Sequence, residues 1–318
     1  MTQPRAPLRI FAGTANPDLA RSVAERLGVA LGGLQITRFP DGELYVKFEE
    51  SVRGCDAFVL QPACPPIDAN LMELLVLVDA LRRASADRIT CVLPYYGYGR
   101  QEKKDAPREP ITAKLIANLI TTAGADRVVA MDLHADAIQG FFDIPLDHLT
   151  ALPTLSDYLV EKNLQDVVVV SPDEGRVKKV RRIAGRLGAP LAVGYKVHPD
   201  HGVSSITHLA GDVRGKTCVV YDDMISTGGS IREIVDTLLA NGARPRIYVA
   251  CTHPILVGPA IERLSRPEIA ELIVTDTIPL SAQQRSGPRT TVLSVAPLFA
   301  EAIQRIWSDE SVSSLFND

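Results

Sequence analysis

Short, strongly apolar, β-branched runs recur along this chain with helical patterns between them, and that alternation narrows the fold more than any other feature. LRIFAG (8–13), AFVLQ (57–61), ITCVLPYY (89–96) and DRVVAMDL (126–133) form a first series. DVVVVSPD (166–173), APLAVGY (189–195), KTCVVYDD (216–223), PRIYVACT (245–252) and ELIVTD (271–276) form a second. Runs that are apolar at successive positions suit strands covered on both faces, as in parallel sheets, whereas half-exposed strands alternate. Helical patterns separate them at 72–84, 111–124, 176–189 and 230–243. The grammar strand, helix, strand predicts an α/β protein with two mainly parallel sheets flanked by helices. A length of 318 residues agrees with two domains, at roughly 150 residues each. The boundary falls near 147–152, giving segments 1–149 and 150–295. The segment 296–318, with a helical pattern at 297–307, is read as returning to the first domain.

Composition removes several functional classes. Hydrophobic residues make up 46% and charged residues 23%, which supplies a core and excludes a disordered chain. The formal net charge of −4 gives no overall field for nucleic acid or an anionic membrane, so any polyanion site must be local. Cys55, Cys64, Cys91, Cys218 and Cys251 are odd in number and widely spaced, with no CxxC pair, which points to a reducing compartment. No apolar stretch approaches the roughly 18 residues of a membrane span. The expected setting is the cytoplasm.

The strongest local signal is VVYDDMISTGGSIREIV, 219–235. An apolar strand ends in Asp222 and Asp223, and Ser226, Thr227, Gly228, Gly229 and Ser230 follow before a helix begins. The glycines let several backbone N–H groups converge, the hydroxyls add donors, and the helix start adds positive potential, which together cradle a phosphate. Two carboxylates beside a bare phosphate would repel it. Facing sugar hydroxyls or a cation they would not, so a phosphorylated sugar is the expected ligand. The competing reading is an ordinary helix cap at Ser230. GDVRGKT (211–217) imitates a phosphate-binding Walker motif but is one residue short and precedes its strand, so it reads as a surface turn. Open α/β sheets bind ligands beyond the carboxyl ends of their strands, which also draws attention to AMDLHAD in the first half.

These residues belong to a longer pattern. The stretches RFPDGELYVKFEESVRGCD (38–56), MELLVLVDALRRASADRI (72–89), PYYGYGRQEKK (94–104), REPITAKL (108–115), DLHADAIQGFFDIPLDHL (132–149), SPDEG (171–175), DDMISTGGS (222–230), CTHPILVGPA (251–260) and SVSSLF (311–316) together resemble the ribose-phosphate pyrophosphokinase family in its bacterial, phosphate-dependent form. The resemblance implies two tandem type I phosphoribosyltransferase-like domains, the first contributing ATP and oligomer contacts and the second binding ribose 5-phosphate. It implies transfer of the β,γ-diphosphate of ATP with Mg2+ to the 1-hydroxyl of ribose 5-phosphate, yielding 5-phosphoribosyl 1-pyrophosphate and AMP.

By that resemblance, Asp222 and Asp223 address ribose hydroxyls, and Ser226, Thr227, Gly228, Gly229 and Ser230 wrap the 5-phosphate. Phe39, Asp41 and Glu43 surround adenine, and Arg100 and Gln101 contact ATP. As single residues, Phe39 reads as a packed loop aromatic and Lys103 with Lys104 as a solvated pair; only the ordered matches reverse this. His134 and Asp173 are magnesium-associated by resemblance, Asp173 being the better direct ligand because magnesium prefers oxygen. Lys196, just beyond the strand at 189–195, and His198 fall where the family neutralises charge on the transferring phosphoryl group. Arg53, Arg83, Ser311 and Ser313 fall at a regulatory anion site, with inorganic phosphate and ADP as effectors and a homohexamer as the assembly.

Four positions depart from the family pattern. Ser226 replaces an aspartate, which lowers repulsion toward phosphate. His198 replaces an arginine and lacks its bidentate fork. Arg176 closes SPDEGR where SPDxGG is usual, bringing a cation that could compensate, with Lys178 and Lys179. Ala137 replaces a glutamine of the regulatory region, which places effector control in question more than the reaction. A non-catalytic regulatory homologue and a phosphoribosyltransferase are the alternatives. The retained Asp222, Asp223, Asp173, His134 and Lys196 argue against the first, and the adenine-side matches against the second.

Overall fold

The computed structural model describes residues 5–200 and 203–315, with the side chains of 196–207 and 314 excepted. In chain order come β1 (Leu8–Ala12), α1 (Pro17–Arg26), β2 (Leu34–Arg38), β3 (Leu44–Phe48), β4 (Asp56–Leu60), α2 (Ile67–Arg83), β5 (Arg88–Leu93), α3 (Thr112–Ala123), β6 (Arg127–Met131) and β7 (Leu146–Leu149). Next are α4 (Leu152–Glu161), β8 (Val167–Ser171), α5 (Val177–Leu187), β9 (Leu191–Asp200), β10 (Val203–Ala210), β11 (Thr217–Ile225), α6 (Gly229–Ala240), β12 (Ile247–Pro254), α7 (Ala260–Leu264), β13 (Ile269–Thr275), α8 (Ala282–Arg285), β14 (Thr290–Leu293) and α9 (Ala296–Trp307). The chain divides into two units. One comprises the chain up to Thr150, Thr277–Pro279 and the chain from Ser294 onward; the other comprises Ala151–Asp276 and Leu280–Leu293. The short return at Thr277–Pro279 is absent from the sequence reading.

The first unit holds a sheet of order β1-β4-β5-β6-β7, parallel throughout. Every residue of β4 is buried, as its unbroken apolar run requires. Phe11, Ala57, Val59, Cys91 and Val128 share one core with the inner faces of α2 and α3. The alternate residues Ile10, Phe58 and Leu60 are equally buried, and α1, which contacts β1, packs on α9. The antiparallel hairpin β2–β3 stands apart from that sheet as a two-stranded ribbon.

The second unit holds a sheet of order β10-β9-β8-β11-β12-β13-β14, parallel except for β9 with β10. From β8 the chain winds outward to β9 and then returns to lay β11 on the other flank of β8. The order therefore reverses between β8 and β11, and open α/β sheets bind ligands beyond the carboxyl ends of the strands at such a reversal. Farther out, the buried Glu271 on β13 accepts from Lys162 Nζ at 2.7 Å, Tyr158 Oη at 2.6 Å and Thr291 Oγ1 at 2.6 Å, tying α4 to the sheet. Those donors outweigh burial and hold its carboxyl below the usual range.

One local expectation changes. Lys196 and His198 do not lie in a loop beyond residue 195, because β9 continues to Asp200 and pairs antiparallel with β10, with Lys196 opposite Ile206. Read alone, VHPD carries a proline and no apolar run. Pairing with Val203–Ala210 supplies the ladder it lacks, and beyond Val193 the strand has left β8, which relaxes the constraint on proline.

Candidate functional site

At the carboxyl ends of β8 and β11 three carboxylates and one guanidinium come together. Asp222 and Asp223 lie near the end of β11, before Met224 and the buried Ile225 that end it; Asp173 follows β8 and leads into a 3₁₀ turn, Glu174–Arg176, that runs into α5. Arg176 Nε lies 3.3 Å from Asp222 Oδ1 and 2.8 Å from Asp223 Oδ1. The first is a hydrogen bond; the second is a charge pairing rather than an aligned hydrogen bond. The Asp223 backbone N–H donates to Asp222 Oδ1 at 2.9 Å. Burial foremost, and then the adjacent Asp223 charge, push the Asp222 carboxyl well above the usual carboxylate range, with Arg176 opposing them. For Arg176 burial acts downward but is outweighed by Asp223, Asp222 and Asp173. Cys251 on β12 stands opposite Asp222 in register, and its thiol is pushed up by burial and by both carboxylates.

Just beyond the acids the chain turns into α6. Ser226 is half-buried and Thr227 exposed. Gly228 is the N-cap residue with φ of +72°, a conformation that strains any side chain bearing a Cβ, and no side chain caps the helix there. Gly229 and Ser230 begin α6, so the first-turn N–H groups, which have no partner within a helix, are presented where an anion would sit. The helix starts at Gly229, so the cap reading at Ser230 does not hold. The loop is braced from outside, because Val257 N–H donates to Ser226 O at 3.0 Å and Arg263 Nη1 to Thr227 O at 3.0 Å. Arg263 is a contributor that sequence reasoning missed; nothing in its local sequence marks it, since its role comes from packing α7 beside the loop. GDVRGKT forms the turn before β11, as its position before the strand requires.

In the first unit, Phe39, Asp41 and Glu43 share the tight turn of the β2–β3 hairpin. Phe39 N–H donates to Glu43 O at 2.9 Å and Glu43 N–H to Asp41 Oδ1 at 3.0 Å, with Gly42 at φ of +96°. Phe39 is 51% exposed, with Tyr45 edge-on at 5.8 Å. His134 follows β6, where the Leu133 N–H donates to His148 Nε2 at 2.9 Å and Thr150 Oγ1 to Asp132 Oδ1 at 2.9 Å. The loop bearing Arg100 and Gln101 packs on this turn: a Cβ at Gly99 would lie 3.6 Å from His134 Cβ. Arg100 is exposed, and Gln101 Oε1 accepts from Thr112 Oγ1 at 2.6 Å at the start of α3. Among the described residues no hydrogen bond or ion pair joins the hairpin turn to Arg100 or Gln101. Lys196 and His198 are placed on β9 by backbone alone, their side chains lying outside the described residues.

The expected regulatory residues lie at the opposite, amino edge of the first sheet. The loop carrying Arg53 is joined to the turn that follows Arg83 at the end of α2 by a bond from Gly54 N–H to Ser85 O at 2.8 Å. Arg83 Nε pairs with Asp79 at 2.7 Å, which raises its pKa. Ser311 O accepts from Arg305 Nη1 at 3.0 Å, and Ser313 N–H donates to Ser311 Oγ at 3.2 Å. The end of α9 reaches the start of β5 through Arg88 Nη1 and Asp309 at 3.2 Å.

Among the described residues no three of His, Cys, Asp and Glu converge into a metal cage. A hard divalent cation that travels with a nucleotide keeps most of its waters and takes one or two carboxylates besides phosphate. Asp173, half-exposed and with its side chain not engaged in capping its own turn, fits that demand.

Residues 8–124 match the family model described as the N-terminal domain of ribose phosphate pyrophosphokinase, and residues 202–317 match the phosphoribosyl synthetase-associated domain. The ribose-phosphate pyrophosphokinase of Bacillus subtilis is 50% identical over 310 residues, covering 98% of this chain and 97% of its own. That of Nostoc sp. is 53% identical over 310 residues, with 97% and 93% covered. The crystal structure of phosphoribosylpyrophosphate synthetase from Mycobacterium smegmatis superposes with a TM-score of 0.89 at 47% identity, covering 95% of this chain and 99% of that one.

Proposed function

The chain belongs to the ribose-phosphate pyrophosphokinase family, and from that membership we propose how its residues carry out the reaction. The enzyme transfers the β,γ-diphosphate of ATP to the 1-hydroxyl of ribose 5-phosphate, forming 5-phosphoribosyl 1-pyrophosphate and AMP, in a divalent-metal-dependent manner. Its two units are phosphoribosyltransferase-like α/β domains. The observation that carries the assignment of roles is the placement of Asp222, Asp223 and the 226–230 turn at the reversal of strand order in the second sheet.

There, Asp222 and Asp223 accept hydrogen bonds from ribose hydroxyls, while the N–H groups and hydroxyls of Ser226, Thr227, Gly228, Gly229 and Ser230 donate to the 5-phosphate. Thus the second unit binds the sugar phosphate and the first provides ATP and oligomer contacts. Phe39 stacks on adenine, Asp41 and Glu43 accept from its exocyclic amine, and Arg100 and Gln101 hold the nucleotide. Mg2+ is the cation proposed; Asp173 and His134 would hold it, and it would supply positive charge to offset that of the phosphate oxygens. As the sugar oxygen attacks the β-phosphorus and AMP leaves, Lys196 neutralises growing negative charge, with the weaker help of His198. Transfer of this kind needs positioning and charge rather than covalent chemistry.

Self-association is supported by Ile111, Leu115 and Leu119, exposed at helical spacing along the start and length of α3, and a homohexamer is the assembly proposed. Phosphate and ADP would act through Arg53, Arg83, Ser311 and Ser313. Five free, buried cysteines suit the cytoplasm, and among the described residues no helix is long and apolar enough to cross a membrane. The test is to incubate the protein with ATP, ribose 5-phosphate and Mg2+, with and without phosphate and ADP, and to measure both products. Equal amounts of AMP and 5-phosphoribosyl 1-pyrophosphate are expected, with a large loss of turnover and retained folding in Lys196→Ala. Absence of both products across phosphate concentration and pH would leave the non-catalytic homologue; full turnover in Lys196→Ala would remove that lysine.

A further inference from the structure

Two adjacent carboxylates at the end of one strand are electrostatically awkward. Asp222 and Asp223 have side chains only 14% and 1% exposed, and burying ions without a partner is strongly unfavourable. A bound cation is one remedy, but this chain carries its own. Arg176 reaches both acids from the neighbouring strand end, is itself only 13% exposed, and cannot give up its proton. Its backbone is the N-cap residue of α5, where a helix dipole disfavours a cation. Carboxylates must therefore hold it there, and Asp173 on the same turn adds to them. From the other side of β11, the residue facing Asp222 is Cys251, whose thiol stays neutral.

We propose that Arg176 is the resident counter-ion of the Asp222–Asp223 pair, a positioning residue that pairs with both acids, offsets one of their two charges and fixes their planes so that ribose 5-phosphate binds without a cation at those carboxylates. Asp222 Oδ1 is occupied by Arg176 and by the Asp223 N–H, which orients the carboxylate and leaves Oδ2 to accept a ribose hydroxyl. Arg176 touches the acids and acts on the substrate only through them. The inference rests on the second unit being the ribose 5-phosphate site.

The experiment is calorimetric titration of the whole protein with ribose 5-phosphate, once in EDTA and once in Mg2+, for wild type, Arg176→Gln and Arg176→Lys. Wild-type affinity should be the same in both to within about twofold. Arg176→Gln should bind about tenfold or more weakly in EDTA, the scale of one lost charged hydrogen bond, and recover most of that loss in Mg2+. Arg176→Lys should fall between. Equal affinity of Arg176→Gln and wild type in EDTA would overturn the role, as would a loss that Mg2+ leaves untouched. If Arg176→Gln does not fold, Arg176→Lys decides: near-wild-type affinity in EDTA supports the counter-ion, and a loss as deep in Mg2+ as in EDTA refutes it. A wild type that binds no ribose 5-phosphate in either condition removes the site assignment itself and the inference with it.

Discussion

In the second unit, strand order reverses between β8 and β11; in the first, β1, β4, β5, β6 and β7 follow one another in a single direction. The reversal sets the ends of β8 and β11 side by side, and there Asp222, Asp223 and Arg176 sit buried and mutually paired before any ligand arrives. Without a reversal, the first unit carries its candidate nucleotide groups on projecting segments: an exposed hairpin turn for Phe39, Asp41 and Glu43, and a loop over His134 for Arg100 and Gln101. One site is organised in advance by the sheet. The other is organised by short turns whose side chains remain in water, and so it must spend part of its contact energy on ordering them.

If the contrast is right, substitutions at the two places should fail differently. The largest effect is expected for Asp222→Asn, which removes the acid proposed to face the sugar. At about 1.5–3 kcal/mol for the one charged hydrogen bond that Asp222 Oδ2 offers, this predicts a fall of about 10- to 150-fold in kcat/KM for ribose 5-phosphate, with KM for ATP little changed. A matching rise in KM for ATP would break the separation of the two sites. Phe39→Ala should act more mildly, raising KM for ATP about 10- to 100-fold, because stacking on a base is worth about 1–3 kcal/mol. Its thermal midpoint should hold, since the ring is half in water; a destabilised variant would mark Phe39 as packing rather than recognition.

The smallest effect sharpens the frame rather than the sites. Glu271 is held ionised by Lys162, Thr291 and Tyr158, so its folded pKa lies below its unfolded one. A depressed carboxyl contributes stability above the unfolded pKa, near 4.5, and loses it as pH falls through the folded value. Glu271→Gln should therefore cost about 1–3 kcal/mol at neutral pH, and its denaturation midpoint should decline less steeply than wild type below about pH 5. Parallel pH profiles for the two proteins would show that Glu271 carries no such linkage.

The central strands were legible because each is apolar at successive positions, a pattern that suits only strands with both faces covered. The strands β2, β3, β7, β10 and β14 were not read as such. Residues of β2 and β3 alternate between half-buried and exposed, β14 is half-buried throughout, and β10 exists through its antiparallel partner. Within the site, the acids and the phosphate turn were legible because their chemistry is packed into consecutive positions from Asp222 to Ser230. Arg176 was visible only as an added cation. Its partner Asp222 lies 46 positions away, and no local pattern reports a contact made by placing β8 beside β11. Arg263, reaching Thr227 from 36 positions away, was silent for the same reason.

What the sequence determined by itself, then, is everything set by near neighbours along the chain: which runs become covered strands, where two acids stand near the end of β11, and where glycine allows the backbone to turn into α6. The tertiary structure decided which strand ends stand side by side. Electrostatic pairing falls off over a few ångströms, so the identity of the charge that offsets Asp222 and Asp223 was settled only when the sheet reversed its order and set Arg176 against them.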